Sequence, residues 1–172
     1  MICDKLNQIV KNCCFVVSLL VGLSFLKKDE KFVKMERTPH KDCYELYSAD
    51  QIRNVYQKCG IAVGSVKTED LSKVYSNFLA VQGVDLVVYS DKFDNIIYDS
   101  RTDENGDLIK LTDDVVCLWL NNKHYDVVLS MTKFAKLNFC VKCMCHLGKF
   151  EHQDNHICNT KLTCQKCYRQ SN

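Results

Sequence analysis

Six of the twelve cysteines and three of the five histidines in this 172-residue chain fall within its last 33 residues. Cys140-Val-Lys-Cys143, His156-Ile-Cys158 and Cys164-Gln-Lys-Cys167 are packed into 28 residues. A C-x-x-C turn aims two thiolates at one tetrahedral ion, the geometry that Zn2+ prefers. The competing explanation, a disulfide knot, requires an oxidising compartment. The spacing therefore predicts Zn2+ as cofactor, with Cys140, Cys143, His156, Cys158, Cys164 and Cys167 as ligands. Two allocations fit. In one, Cys140, Cys143, His156 and Cys158 close a site and Cys164 and Cys167 form half of a second. In the other, the two C-x-x-C pairs make one ribbon and leave His156 and Cys158 aside. Cys145, His146 and His152 read as bystanders, and Cys3, Cys43, Cys59 and Cys117 as structural thiols. A thiolate-rich metal module implies a reducing, intracellular setting, nucleus or cytoplasm, and argues against secretion.

A chain of this length holds one ordinary domain plus a small metal module, here residues 1–132 and 133–172. The net charge is +2. It is unevenly spread: residues 133–172 carry seven basic side chains against Glu151 and Asp154, a local +5. Thiolates on zinc would cancel part of that excess. The tail is therefore a candidate for weak nucleic-acid contact.

Residues 13–26 carry no charge. The run is too short for a comfortable bilayer span. It has the length of a signal-peptide core, but no A-x-A-like site follows it, and Lys27-Lys28-Asp29-Glu30 comes at once. A helix buried on nearly all sides is the leading expectation, ahead of a signal-like segment or a membrane anchor.

Ser48-Ala-Asp-Gln51 is a capping box that opens a helix, and Gly60 suits its end. A second helix is predicted from Thr68, with Leu71, Val74, Tyr75 and Phe78 as its apolar face. The period then changes to two. Residues 84–89 and 95–98 read as strands, and residues 108–111 offer a further one. Residues 115–120 form a strong central strand, Asn121-Asn122-Lys123 turns the chain, and residues 125–129 return antiparallel. Helices first, then a twisted sheet, then a metal module is an α+β pattern.

Three residues could carry chemistry. Cys14 would open the apolar helix, where the helix N-terminus favours negative charge. His124 would begin a strand, with Asp126 two residues on. A histidine can activate a thiol, and a carboxylate can orient that histidine. The bland alternative is core packing for Cys14 and surface exposure for His124.

Asn12-Cys-Cys14-Phe-Val-Val-Ser18 resembles the nucleophile segment, D-G-N-C-L-F-R-A, of ovarian-tumour (OTU) type cysteine proteases. Leu118-Trp-Leu-Asn-Asn-Lys-His124-Tyr-Asp126 resembles the strand–turn–His-Tyr segment of the same family. The resemblance implies an OTU-like α+β domain with Cys14, His124 and Asp126 as its catalytic positions. It departs at Lys11, where the family has Asp, and at Asn12-Cys13, where it has Gly-Asn. That loop helps shape the oxyanion hole, so Cys14 and His124 are expected close in space but poorly reactive.

The segment from His124 to Phe134, followed by Cys140-x-x-Cys143, His156-x-Cys158 and Cys164-x-x-Cys167, is similar to a narrower group. These are the N-terminal parts of protein-primed B-family DNA polymerases of Maverick/Polinton elements and related viruses. The likeness is specific over residues 115–168. It implies a non-catalytic, zinc-containing, nucleic-acid-associated region whose partner is the remainder of a DNA polymerase. No D-x-E, D-x-x-S-L-Y-P or Y-G-D-T-D-S motif occurs, so this chain alone lacks the carboxylates for phosphoryl transfer. Under this resemblance the chain reads as a fragment, a degraded element copy or a split gene product. An active cysteine protease acting on ubiquitin, or a free-standing zinc-binding interaction module, are the alternatives.

Overall fold

The computed structural model describes residues 13–35, 46–135, 139–140 and 145–146. The fold is mixed α+β, with helices first and a four-stranded, mostly antiparallel sheet after them. The apolar run is helix α1, Cys14–Lys27, and most of its residues from Phe15 to Ser24 are buried. It stops where Lys28 turns left-handed and its N–H bonds back to the Ser24 carbonyl. No helix among the described residues is long and apolar enough to cross a membrane.

A short helix α2, Glu30–Met35, follows. Asp29 opens it, its Oδ1 accepting the N–H groups of Lys31 and Phe32 at 2.9 and 3.0 Å. Helix α3, Ala49–Cys59, begins with the predicted reciprocal capping box of Ser48 and Gln51 and ends at Gly60, whose φ of 68° is left-handed. Its buried stripe is Ile52, Val55, Tyr56 and Cys59, at helical spacing.

The helix expected from Thr68 is less regular than predicted. A 3-10 turn, Thr68–Asp70, leads into one α-helical turn, α4 at Leu71–Val74. A π-helical turn, Tyr75–Leu79, and a second 3-10 turn, Ala80–Gln82, complete it. Leu71, Val74, Phe78 and Leu79 still reach the core.

Strands β1 (Asp85–Ser90), β2 (Lys92–Asp99), β3 (Val115–Asn121) and β4 (His124–Val127) stand in the order β2-β1-β3-β4. The outer pairs are antiparallel, whereas β1 and β3 run parallel from Asp85↔Val115 to Ser90↔Leu120. Leu86, Val88, Val116 and Leu118 face the main core with α1, α3 and the 68–82 segment. Val87, Tyr89, Val115 and Cys117 face a smaller cluster covered by helix α5, Met131–Ala135. Burial on both faces explains why β1 and β3 read as continuous apolar runs instead of alternating ones. Residues 108–111 do not form the expected strand. They make only an isolated bridge, Thr102↔Leu108. Ile109 is exposed, and Lys110 turns its ammonium to 2.7 Å from the buried Asp85 carboxylate. The predicted return strand 125–129 is shorter, ending at Val127.

Behind the sheet, Arg101 is wholly buried and grips Asp99 through two bonds, Nε to Oδ1 at 3.0 Å and Nη2 to Oδ2 at 2.9 Å. Beyond α5, β5 (Phe139–Cys140) and β6 (Cys145–His146) form a small antiparallel pair.

Gly22 fixes how closely α1 approaches the sheet. A Cβ there would lie 2.7 Å from Val116 Cγ1 and 3.3 Å from Val127 Cγ2. In an open helix, Gly→Ala stabilises by about 0.5–1 kcal/mol. Here the short, branched Val116 side chain has no room to retreat. Gly22→Ala is therefore expected to lower unfolding free energy by about 1–3 kcal/mol. Chemical denaturation measures it, and a stabilised variant would contradict this packing.

Candidate functional site

Cys14 and Tyr125, 111 residues apart, meet at the start of α1. The Tyr125 N–H donates to Cys14 Sγ at 3.5 Å, and Ser18 Oγ, one helical turn on, donates to the Tyr125 carbonyl at 2.8 Å. β4 is an edge strand, and Tyr125 pairs with Leu120 in its register. Its N–H and C=O therefore point away from β3, and two side chains of α1 satisfy them. The phenol ring turns inward, edge-on to Phe15 with centroids 4.9 Å apart, and its hydroxyl donates to the Val66 carbonyl at 3.3 Å. Burial raises the Tyr125 pKa to about 12, so the ring stays neutral as a donor.

The two cysteines at this corner have different surroundings. Cys13 is the N-cap residue, wholly buried, and desolvation raises its pKa, an effect that a bond with Tyr56 partly offsets. Cys14 is half-buried and lines a cleft of about 350 Å3. Phe15, Val66, Leu120 and Tyr125 supply its apolar surface, and Lys67 and Lys123 stand at its rim. The first backbone bond of α1 runs from the Val17 N–H to the Cys13 carbonyl. The N–H groups of Cys14, Phe15 and Val16 therefore have no partner inside the helix.

His124 opens β4 after a two-residue turn in which Asn122 and Lys123 both have positive φ, 49° and 65°. That is the twist a tight hairpin needs. Its Nε2 lies 3.4 Å from Asp126 Oδ1, with both side chains about half exposed. Alternation along β4 sets His124 and Asp126 on one side and Tyr125 on the other. The carboxylate faces Nε2. An exposed pair of this kind contributes at most about 1 kcal/mol, so it orients the ring weakly.

The structure thus joins Cys14 to the backbone of the residue after His124, and His124 to Asp126. The part played by Tyr125 escaped the sequence reading, although a period of two places it opposite its neighbours. The wall formed by residues 65–69 carries no pattern that announces it.

Of the six predicted zinc ligands, Cys140 is buried in β5, with its backbone opposite Cys145 in β6. Cys143, His156, Cys158, Cys164 and Cys167 lie outside the described residues, as do Cys3 and Cys43. Among the described residues, no three His, Cys, Asp or Glu side chains gather as a metal site. Cys59 and Cys117 are core thiols.

No protein-family model, curated protein or solved structure matches the chain.

Burial pushes the Cys59 thiol up to about 11 and Cys117 to about 12. Among Cys13, Cys14, Cys59 and Cys117, alkylation of the native protein at pH 8 should therefore modify Cys14 and spare the others until denaturant is added. Peptide mapping by mass spectrometry reads this directly, and equal labelling of Cys117 would overturn it. The sign for stability follows from the same shifts. A thiol with a raised folded pKa stabilises fully below its unfolded value of 9.0 and loses that contribution as pH rises. Melting temperature should fall between pH 9 and 11.

Proposed function

We propose that the chain is an OTU-like domain followed by a zinc-binding tail, and that it serves as a non-catalytic, intracellular N-terminal region of a protein-primed B-family DNA polymerase. The observation that carries this reading is the junction of Cys14 with Tyr125. Both segments on which the OTU resemblance rests border that one cleft, the first through Cys14 and Phe15 and the second through Leu120, Lys123 and Tyr125. The order of elements, nucleophile-position helix early and His-Tyr strand late, agrees with it.

Weak reactivity is part of the reading. Lys11-Asn12-Cys13 stands in place of the loop that presents amides to an oxyanion. Losing such donors costs about 10²–10³ in rate. Cys14 Sγ also accepts a backbone N–H and so already has a structural task. In this reading Zn2+ is held by Cys140, Cys143, His156, Cys158, Cys164 and Cys167, and supplies folding energy to the tail, not chemistry. The tail's +5 gives weak, salt-sensitive contact with nucleic acid. The second reading, an active OTU-like protease, has one observation in its favour, the contact of His124 Nε2 with Asp126.

A ubiquitin suicide probe separates the two, since only an activated thiolate forms the adduct. The full chain is expected to label at Cys14 about 10²–10³ times more slowly than an active protease of the family. Rapid labelling would put protease in place of polymerase region. Elemental analysis of protein purified without added metal is expected to give one zinc or slightly more, and Cys143→Ser should release it. Metal-free protein with a folded tail would refute the zinc assignment. Reading the genomic DNA downstream for an in-frame D-x-E tests the link to a polymerase.

A further inference from the structure

A second cleft, of about 370 Å3, lies at the other end of α1 from Cys14. Leu20, Leu23, Val55 and Phe78 form its apolar floor, and Lys27, Lys31 and Lys58 stand around it. Among the described residues, none of these three lysines is ion-paired. Lys27 Nζ donates to Gln82 Oε1 at 2.6 Å. Lys31 Nζ donates to Gln51 Oε1 at 3.1 Å and sits 4.0 Å above the Tyr47 ring. An ammonium has three N–H donors, so Lys27 and Lys31 each keep two beyond these bonds.

Among the described residues the cleft has one carboxylate, Asp29, and it is committed elsewhere. Its Oδ1 holds the first turn of α2, and its Oδ2 accepts from Ser24 Oγ at 3.0 Å. Ser24 also bonds the Tyr47 hydroxyl at 2.9 Å, which fixes the ring beneath Lys31. Burial holds the Lys31 pKa below its ordinary value, the nearby Asp29 charge opposing this and Lys34 adding to it.

We propose that this cleft binds a small phosphate monoester of roughly mononucleotide size. Lys27, Lys31 and Lys58 take the phosphate, and the apolar floor takes its organic body. Among the described residues, three ammonium groups stand against one carboxylate, a balance that matches a dianion better than a singly charged carboxylate ligand. The volume lies within the range of small-ligand sites, about 300–1,000 Å3. The site is separate from the Cys14 cleft, with which it shares no lining residue.

Isothermal titration of the full chain with AMP, inorganic phosphate and adenosine, at low and at physiological salt, tests this. AMP should bind saturably at low salt, more tightly than inorganic phosphate, and adenosine should not bind. Added salt should weaken AMP binding, because the rim is exposed. Lys31→Gln and Lys58→Gln should each weaken it by up to about fivefold, and the double variant by more. Lys58 is exposed, so its variant stays informative if Lys31→Gln destabilises the fold. The proposal fails if AMP does not bind at low salt. It fails if adenosine binds equally well. It also fails if the lysine variants bind as the parent does, or if Lys161→Gln/Lys166→Gln abolishes binding, which would move the anion to the tail.

Discussion

The seating of α1 on the sheet is the constraint from which the rest of the structure follows. A fourteen-residue helix with no charge before Lys27 has to be covered almost all the way round. Three bodies do this. The sheet covers one side through Val116 and Leu118, α3 a second, and the 68–82 segment a third. Gly22 removes the side chain that would hold the helix off Val116. The Tyr125 backbone then locks the N-terminal end, because an edge strand with unpaired N–H and C=O groups has to find partners or be left open to other strands. Cys14 and Ser18, spaced by four, lie on one helix face and meet both groups.

Elements with local causes were legible in the sequence. The apolar run gave α1 to within a residue at each end, and the Ser48/Gln51 box and Gly60 bounded α3. The Asn-Asn-Lys turn marked the β3–β4 hairpin. Elements that depend on distant partners were less legible. The parallel pairing of β1 with β3 cannot be inferred from either run alone, since burial on both faces erases the alternation that reports orientation. Leu108-Ile-Lys-Leu looked like a strand because its composition suits one. What decides its path is Lys110 reaching the buried Asp85. A carboxylate with no exposed surface needs a counter-charge more than the exposed Ile109 needs a sheet. The outer face of the sheet was likewise invisible. Arg101 reads as a surface residue until Asp99, two positions before it, is seen to neutralise it under α5.

The candidate site was legible in its polar members and hidden in its geometry. Residue types singled out Cys14, His124 and Asp126, and the fold brings their segments to one corner. The residue that makes the corner is Tyr125. It was overlooked because its contribution lies mostly in backbone groups, which sequence reasoning does not see. For the tail cysteines and histidines expected to bind zinc the situation is reversed. C-x-x-C spacing is strong chemistry without any fold, and only Cys140 of that set is placed, in a hairpin with β6.

The two clefts share α1 as a wall, one at each end. Their chemistry differs because the helix ends differ. The first turn offers N–H groups without a partner inside the helix and a half-buried thiol next to an edge strand. The last turn ends in Lys27, and the chain reverses through Lys28 and Asp29 into α2, which brings Lys31 back over Tyr47. That reversal depends on Ser24, whose hydroxyl bonds both Asp29 and Tyr47. Ser18 and Ser24 are thus the two buried polar side chains of an otherwise apolar helix, and each is spent on anchoring a different end. Close packing at Gly22 already limits how far α1 can slide or rotate. The two hydroxyls limit it further, because displacing either would leave a buried hydrogen-bonding group unpaired at a cost of about 1–3 kcal/mol. The apolar side chains make α1 bury itself, and the two serines set the register in which it does so.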